Sequence, residues 1–188
     1  MTRREEIVDV AERLLERAGP QAVTMRRLAD ELGIQAPSLY KHVAGKHEIE
    51  AALQQRALQR LGATLEAAPD LPSLAVAYRA WALRHPRLYE IATRLPLARE
   101  RLAPGVEAAA AVPLLRMTGG DLTEARVLWG LAHGLVDLEL AGRFPPGADV
   151  DAVWARAFAE RAGDARAAPS DAVEPPDPGP AESGAAGS

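Results

Sequence analysis

At 188 residues the chain is long enough for one or two small domains around a buried core. It contains no cysteine, which excludes disulfides, thiolate nucleophiles and zinc–thiolate sites. The net charge of −4 argues at first sight against a polyanionic partner, but Asp164, Asp171, Glu174, Asp177 and Glu182 face only Arg166 after Gly163, so the remainder is neutral overall. A neutral body with local cation clusters is compatible with DNA, because the field at the contact surface matters more than the total. The charged start from Arg3 onward does not read as a signal peptide, and the apolar runs are broken well short of membrane length. A cytoplasmic protein without a membrane partner is expected.

The first predicted helix carries Ile7, Val10, Ala11, Leu14, Leu15 and Ala18 on one face and ends at Gly19. Thr24 then stands where it can cap a second helix whose Leu28, Ala29 and Leu32 share a face. Gly33 follows where the chain needs a left-handed residue. Pro37 lies in the first turn of a third helix, roughly Ala36 to Val43, which is too short to stand alone and must be docked. Its outward side bears Ser38, Tyr40, Lys41 and His42. Hydroxyls, an aromatic ring and cations on the free side of a docked helix suit a reader of the DNA major groove. Further cations, Arg3, Arg4, Arg26, Arg27 and Lys46, cluster in the same stretch.

A longer helix follows from His47 to about Ala67, with Ile49, Ala52, Leu53, Leu58 and Leu61 among its apolar positions, and Pro69 closes it. A second helical set spans about Leu71 to Arg116, interrupted by Pro86, Pro96 and Pro104. A final pair covers about Leu122–Ala141 and Asp149–Arg161. No strand-like alternation of any length appears, so the chain reads as all-α. It divides into a three-helix DNA-binding unit over 1–47, a helical region over 48–163, and a tail over 164–188. The tail, rich in Ala, Pro, Gly, Ser and acids, has no residue larger than Val173 to bury and should be disordered. It reads either as an acidic arm or as a plain solvated extension.

The helix over 122–141 is apolar all round, through Leu122, Val127, Leu128, Trp129, Leu131, Leu135, Val136, Leu138 and Leu140. Such a helix is expected to be buried all round, against its own domain on one side and a second subunit on the other. The next helix offers Val150, Val153, Trp154, Ala157 and Phe158 at helical spacing. Leu128, Leu135, Val136, Val153, Ala157 and Phe158 are therefore the candidate homodimer contacts. Gly130 and Gly134 would allow close helix approach.

The stretch VTMRRLADELGIQAPSLYKHVAGKHEI closely resembles the DNA-binding segment of the tetracycline-repressor (TetR/AcrR) family of bacterial regulators. The matching features are T-x-R-x-L-A-x-x-L-G, the P-S-L-Y-x-H core and the G-K-x-x pair that follows. Trp129-x-x-x-His133-Gly134 also resembles the W-x-x-x-H-G signature of one subgroup of the family's C-terminal domains. The resemblance implies a helix-turn-helix unit joined to a helical ligand-binding and dimerisation domain. It implies Thr24, Tyr40, His42 and Lys46 as phosphate contacts. Arg26 is placed to reach a guanine edge. Gln35, Ala36, Pro37 and Ser38 occupy the end of the third helix that enters the groove. Lys41 could serve phosphate or base. Ala36 stands where the tetracycline repressor has glutamine, so a shared operator sequence is not implied.

The resemblance also implies an effector pocket among the middle helices, with Trp81, His85, Tyr89, Leu114, Met117, Trp129 and His133 as candidates; taken one by one, the same residues read more simply as core. The four histidines, His42, His47, His85 and His133, show no metal-binding spacing, and no catalytic constellation is present. No metal, cofactor or enzymatic activity is expected. The function that follows is a homodimeric regulator, a repressor in the first instance, binding a palindromic double-stranded operator and released by a small-molecule effector. The rival is a DNA-architectural protein of the same fold with no effector.

Overall fold

In the computed structural model, which describes residues 2–167, Thr2 opens α1 (Arg3–Ala18) with a reciprocal cap. Its hydroxyl accepts from the Glu5 N–H while the Glu5 carboxylate accepts from the Thr2 N–H. Ile7, Val10, Ala11, Leu14 and Leu15 are buried as their spacing predicts, whereas Ala18 is exposed. Gly19 leaves the helix at φ +77°, and a 3₁₀ turn leads to α2 (Met25–Glu31). The third helix is shorter than its sequence suggests. Regular α-helix covers only α3 (Ala36–Leu39); beyond it the Leu39 carbonyl accepts from both His42 and Val43 N–H, a tight turn. Leu28, Leu39, Val43 and Ile49 close on the apolar face of α1 and make the core of this three-helix head.

The long helix α4 (Lys46–Glu66) begins in the head and ends in the second region. It packs on α1, on α6 (Pro86–Thr93) and on α7 (Val106–Met117). Gly62 permits that last approach, since a Cβ there would meet the Ala110 Cα at 3.2 Å. Between them, α5 (Leu71–Arg84) starts from the Asp70 carboxylate, which accepts from the Ser73 N–H at 2.8 Å. Pro86 does not merely interrupt: it starts α6, where its missing N–H costs nothing. α8 (Leu122–Leu140) and α9 (Val150–Ala167) pack against α5 and complete the domain. No strand occurs among the described residues.

One buried polar side chain ties α4 to the irregular segment between α6 and α7. Gln54 is 1% exposed; its Nε2 donates to the carbonyls of Ile91 and Pro96, both at 3.1 Å, and its Oε1 accepts from the Ala98 N–H at 3.1 Å. Gln54→Leu removes all three bonds and leaves two carbonyls and one N–H without partners. Denaturant unfolding should show a loss on the order of 2–4 kcal/mol. An unchanged midpoint would mean that the segment finds other partners.

The outer helices sort their apolar residues onto two sides. On α8, Ala125, Leu128, Ala132, Leu135 and Val136 are buried within the subunit, while Val127, Trp129 and Leu138 are exposed. On α9, Trp154 and Phe158 are buried and stacked with ring centroids 5.6 Å apart, while Val153 is exposed and Ala157 half-buried. Leu128, Leu135, Val136 and Phe158, expected from sequence at a dimer contact, therefore belong to the subunit's own core. They sit on the inward stripe of their helices, and the unfilled side is made by Val127, Leu138 and Val153. An added Cβ at Gly130 or Gly134 would meet nothing within 4 Å, so that side is open. α9 also runs to Ala167, which makes residues 164–167 helical where the sequence suggested the start of a tail; residues 168–188 lie outside the described part.

Candidate functional site

The head presents its turn and third helix outward. The Thr24 hydroxyl accepts from the Arg27 N–H at 3.3 Å and fixes the start of α2. At its end Gly33 adopts φ +64°, and the Ile34 N–H reaches back to the Ala29 carbonyl at 3.0 Å. Buried Leu39 pins α3 to the head, leaving Gln35, Pro37, Tyr40, Lys41 and His42 exposed and Ala36 and Ser38 half-buried. Tyr40 stands 55% exposed, which leaves its ring and hydroxyl accessible.

The cations of the head differ in what they meet. Arg3, Arg4 and Arg17 are each paired, with Glu6, Glu48 and Glu31. Arg26, Arg27 and Lys41 are exposed and form no ion pair among the described residues, so their charge is available to a polyanion. Lys46 is intermediate, its Nζ lying 3.4 Å from a Glu50 carboxylate oxygen. The Glu48 carboxylate accepts from the Ala44 N–H at 2.6 Å, which holds its pKa below the ordinary range and anchors the turn before α4.

Charged contacts fasten the head to the rest of the chain. The Arg56 guanidinium lies 2.7 Å from both Asp9 and Glu12, and Arg60 pairs with Glu12 as well. The Glu16 carboxylate accepts from the Leu88 N–H at 3.0 Å, joining α1 to the first turn of α6.

Beyond the head a cavity of about 530 Å³ lies among the helices of the second region. Leu58, Leu61 and Leu65 of α4, Leu74, Tyr78 and Trp81 of α5, Tyr89 of α6, Leu114 of α7, Leu128 of α8 and Phe158 of α9 form its walls. Its polar groups are few. The hydroxyls of Tyr78 and Tyr89 share a hydrogen bond at 3.0 Å, and Tyr89 shares another with His133 Nδ1 at 2.6 Å. Burial pushes the Tyr78 hydroxyl pKa up to about 12, and burial together with Tyr78 raises that of Tyr89 further, so both are neutral phenols. Arg99 and Glu107 also line the cavity and grip each other bidentately, with both N–O distances 2.7 Å. Leu122, Arg126 and Trp129 line it while remaining exposed, and so form part of its rim.

Residues 7–53 match the bacterial regulatory proteins of the tetR family, and residues 71–160 match the tetracyclin repressor-like C-terminal domain. An uncharacterised HTH-type transcriptional regulator of Mycobacterium tuberculosis, Rv0681, is 33% identical over 166 residues, which is 80% of this chain and 76% of that protein. The chain belongs to the TetR family. The tetracycline repressor protein class D of Escherichia coli is 42% identical over 57 residues, 30% of this chain and 26% of its own length. A tetR-family transcriptional regulator from Streptomyces coelicolor shares the fold, with a TM-score of 0.63 at 23% identity over 88% of this chain and 87% of that one. This TetR-family protein is accordingly a DNA-binding transcriptional regulator, in a family of regulators and not of enzymes.

All ten candidate DNA residues of the TetR-family head lie in or next to α2, α3 and the start of α4. Arg27, named only as one of the cations of this stretch, is exposed like Arg26. Of the seven effector candidates, Trp81, Tyr89, Leu114 and Trp129 line the cavity; His85, Met117 and His133 do not. His85 instead sits against the Trp81 ring, 5.5 Å between centroids, and half-buried Met117 packs on the core. His133 stands behind the wall, stacked on Trp129 at 5.8 Å and bonded to Tyr89. Tyr78, Leu61, Leu65, Arg99, Glu107 and Arg126 went unrecognised. Periodicity shows that a side chain turns inward but not whether it meets a packed neighbour or a void. Among the described residues no helix is long and apolar enough to cross a membrane, and no group of three potential ligands is placed to hold a metal.

Proposed function

We propose that this regulator is a cytoplasmic repressor that reads a palindromic operator as a homodimer and is released by a small molecule taken into the cavity. The observation that carries the reading is the double duty of α4. Its first turns pack in the head through Ile49 and hold Lys46, while Leu58, Leu61 and Leu65 of the same helix line the cavity. A ligand that prefers one position of α4 thereby prefers one position of the head. It can release DNA only by binding the non-reading geometry more tightly than the reading one.

In this reading residues 1–47 form the DNA-binding unit and 48–163 sense and dimerise. Arg26, Gln35, Ala36, Pro37 and Ser38 face base edges; Thr24, Tyr40, His42 and Lys46 face phosphates, with Lys41 serving either. The open side of α8 and α9, Val127, Gly130, Gly134, Leu138 and Val153, meets the same side of a second copy. Stacking of Trp129 on His133, and the bond from His133 to Tyr89, give the W-x-x-x-H-G signature a structural purpose in the cavity wall. That packing supports counting the chain in that subgroup.

Selection of bound duplexes from a random pool tests this directly. Enrichment of a two-fold symmetric site, bound by an even number of subunits, is expected. Enrichment of a single asymmetric site, or binding with no sequence preference, would overturn the repressor reading in favour of an architectural protein.

A further inference from the structure

The charges around the cavity point to the class of molecule it takes. The one carboxylate among its described lining residues, Glu107, already has a cation partner. Glu107 is bound at both oxygens by Arg99, and those hydrogen bonds hold its carboxyl below the ordinary pKa range. The hydroxyls of Tyr78 and Tyr89 are neutral and already bonded to each other and to His133. The rim, by contrast, offers a free cation. Arg126 lines the cavity, is exposed, and forms no ion pair among the described residues. Leu122 and Trp129 flank it on the same side of α8, one turn before and one turn after, both half or more exposed and both lining the cavity.

We infer that the cavity binds a lipophilic anion, its apolar body among the leucines and aromatic rings and its carboxylate or equivalent head at the Arg126 guanidinium. The inference rests on the cavity being the effector site. A guanidinium presents its donors as a planar fork that matches a carboxylate, and the apolar rim beside it excludes part of the competing water. A lipophilic cation would meet a Glu107 carboxylate whose charge Arg99 already balances, and would gain less there than an anion gains at the unpaired Arg126. A neutral molecule of the same shape would fill the walls but leave Arg126 to solvent.

Three probes with one apolar body separate these cases: dodecanoate, dodecanol and dodecylammonium, each titrated into the full chain below its micelle-forming concentration. Quenching of the Trp81 and Trp129 fluorescence reports occupancy. Dodecanoate should bind roughly five-fold or more tightly than either of the others. Arg126→Gln, at an exposed position, should abolish that margin while leaving dodecanol unchanged. Arg99→Gln should free Glu107 and raise dodecylammonium affinity. Tighter binding of the ammonium to the unaltered protein, or a dodecanoate preference that survives Arg126→Gln, would overturn the anion assignment and leave the effector site standing. Failure of all three to bind would remove the effector site itself, and the assignment with it.

Discussion

Arg26→Ala should weaken binding to the selected operator by about 1–3 kcal/mol per half-site and relax the preference at one base pair in each. Arg26 stands exposed in the first turn of α2, and no carboxylate among the described residues pairs with it. A bidentate bond to a guanine edge is lost outright on truncation. Lys46→Ala should behave differently. Its charge is shared with Glu50, and its partner would be phosphate, so affinity should fall almost equally on every sequence and the salt dependence should flatten. Competition of specific against random duplex measures both. An unchanged ratio for Arg26→Ala would show that it does not read a base.

Leu138→Arg should abolish the proposed dimer contact without unfolding the subunit. Leu138 is 43% exposed on the open side of α8, so the fold accommodates an arginine there, but a two-fold contact would bury two guanidiniums with no partner. Association should weaken by at least about 100-fold, with the helical signal and melting of the subunit retained. Val136→Arg, at 0% exposure, supplies the contrast: it should unfold the chain. Sedimentation at micromolar concentration distinguishes the two. A Leu138→Arg protein that stays dimeric would place the contact elsewhere, and an unaltered protein that is monomeric would remove it.

The head was legible because its signals are local. Thr24 caps, Gly33 turns left-handed and Pro37 sits in a first turn whatever surrounds them, and the structure has all three in those roles. The length of α3 was not legible, since the chain must turn again to reach Gly45 and α4, and the double acceptance at the Leu39 carbonyl is the result. The apolar circumference of α8 suggested burial all round, but within the subunit Leu122, Val127, Trp129, Leu138 and Leu140 are exposed. It did not reveal which side was which, because Leu135 and Leu138 differ only in the direction they point once α5 and α9 are in place. The cavity was half legible for the same reason. Trp81 and Tyr89 are inward-facing aromatics with polar tips, whereas Arg99 and Glu107 become lining residues only because the segment after α6 folds back over α4, where Gln54 holds it.

Reciprocal linkage puts the coupling between cavity and head to the most direct test. The affinity of the tightest-binding dodecyl compound is measured by calorimetry on the free protein and on the protein saturated with its selected operator. Because a ligand that expels DNA must itself be expelled by DNA to the same degree, affinity for the operator complex should be lower by at least about five-fold. Equal affinities in the two states would mean that the cavity and the reading head do not communicate through α4.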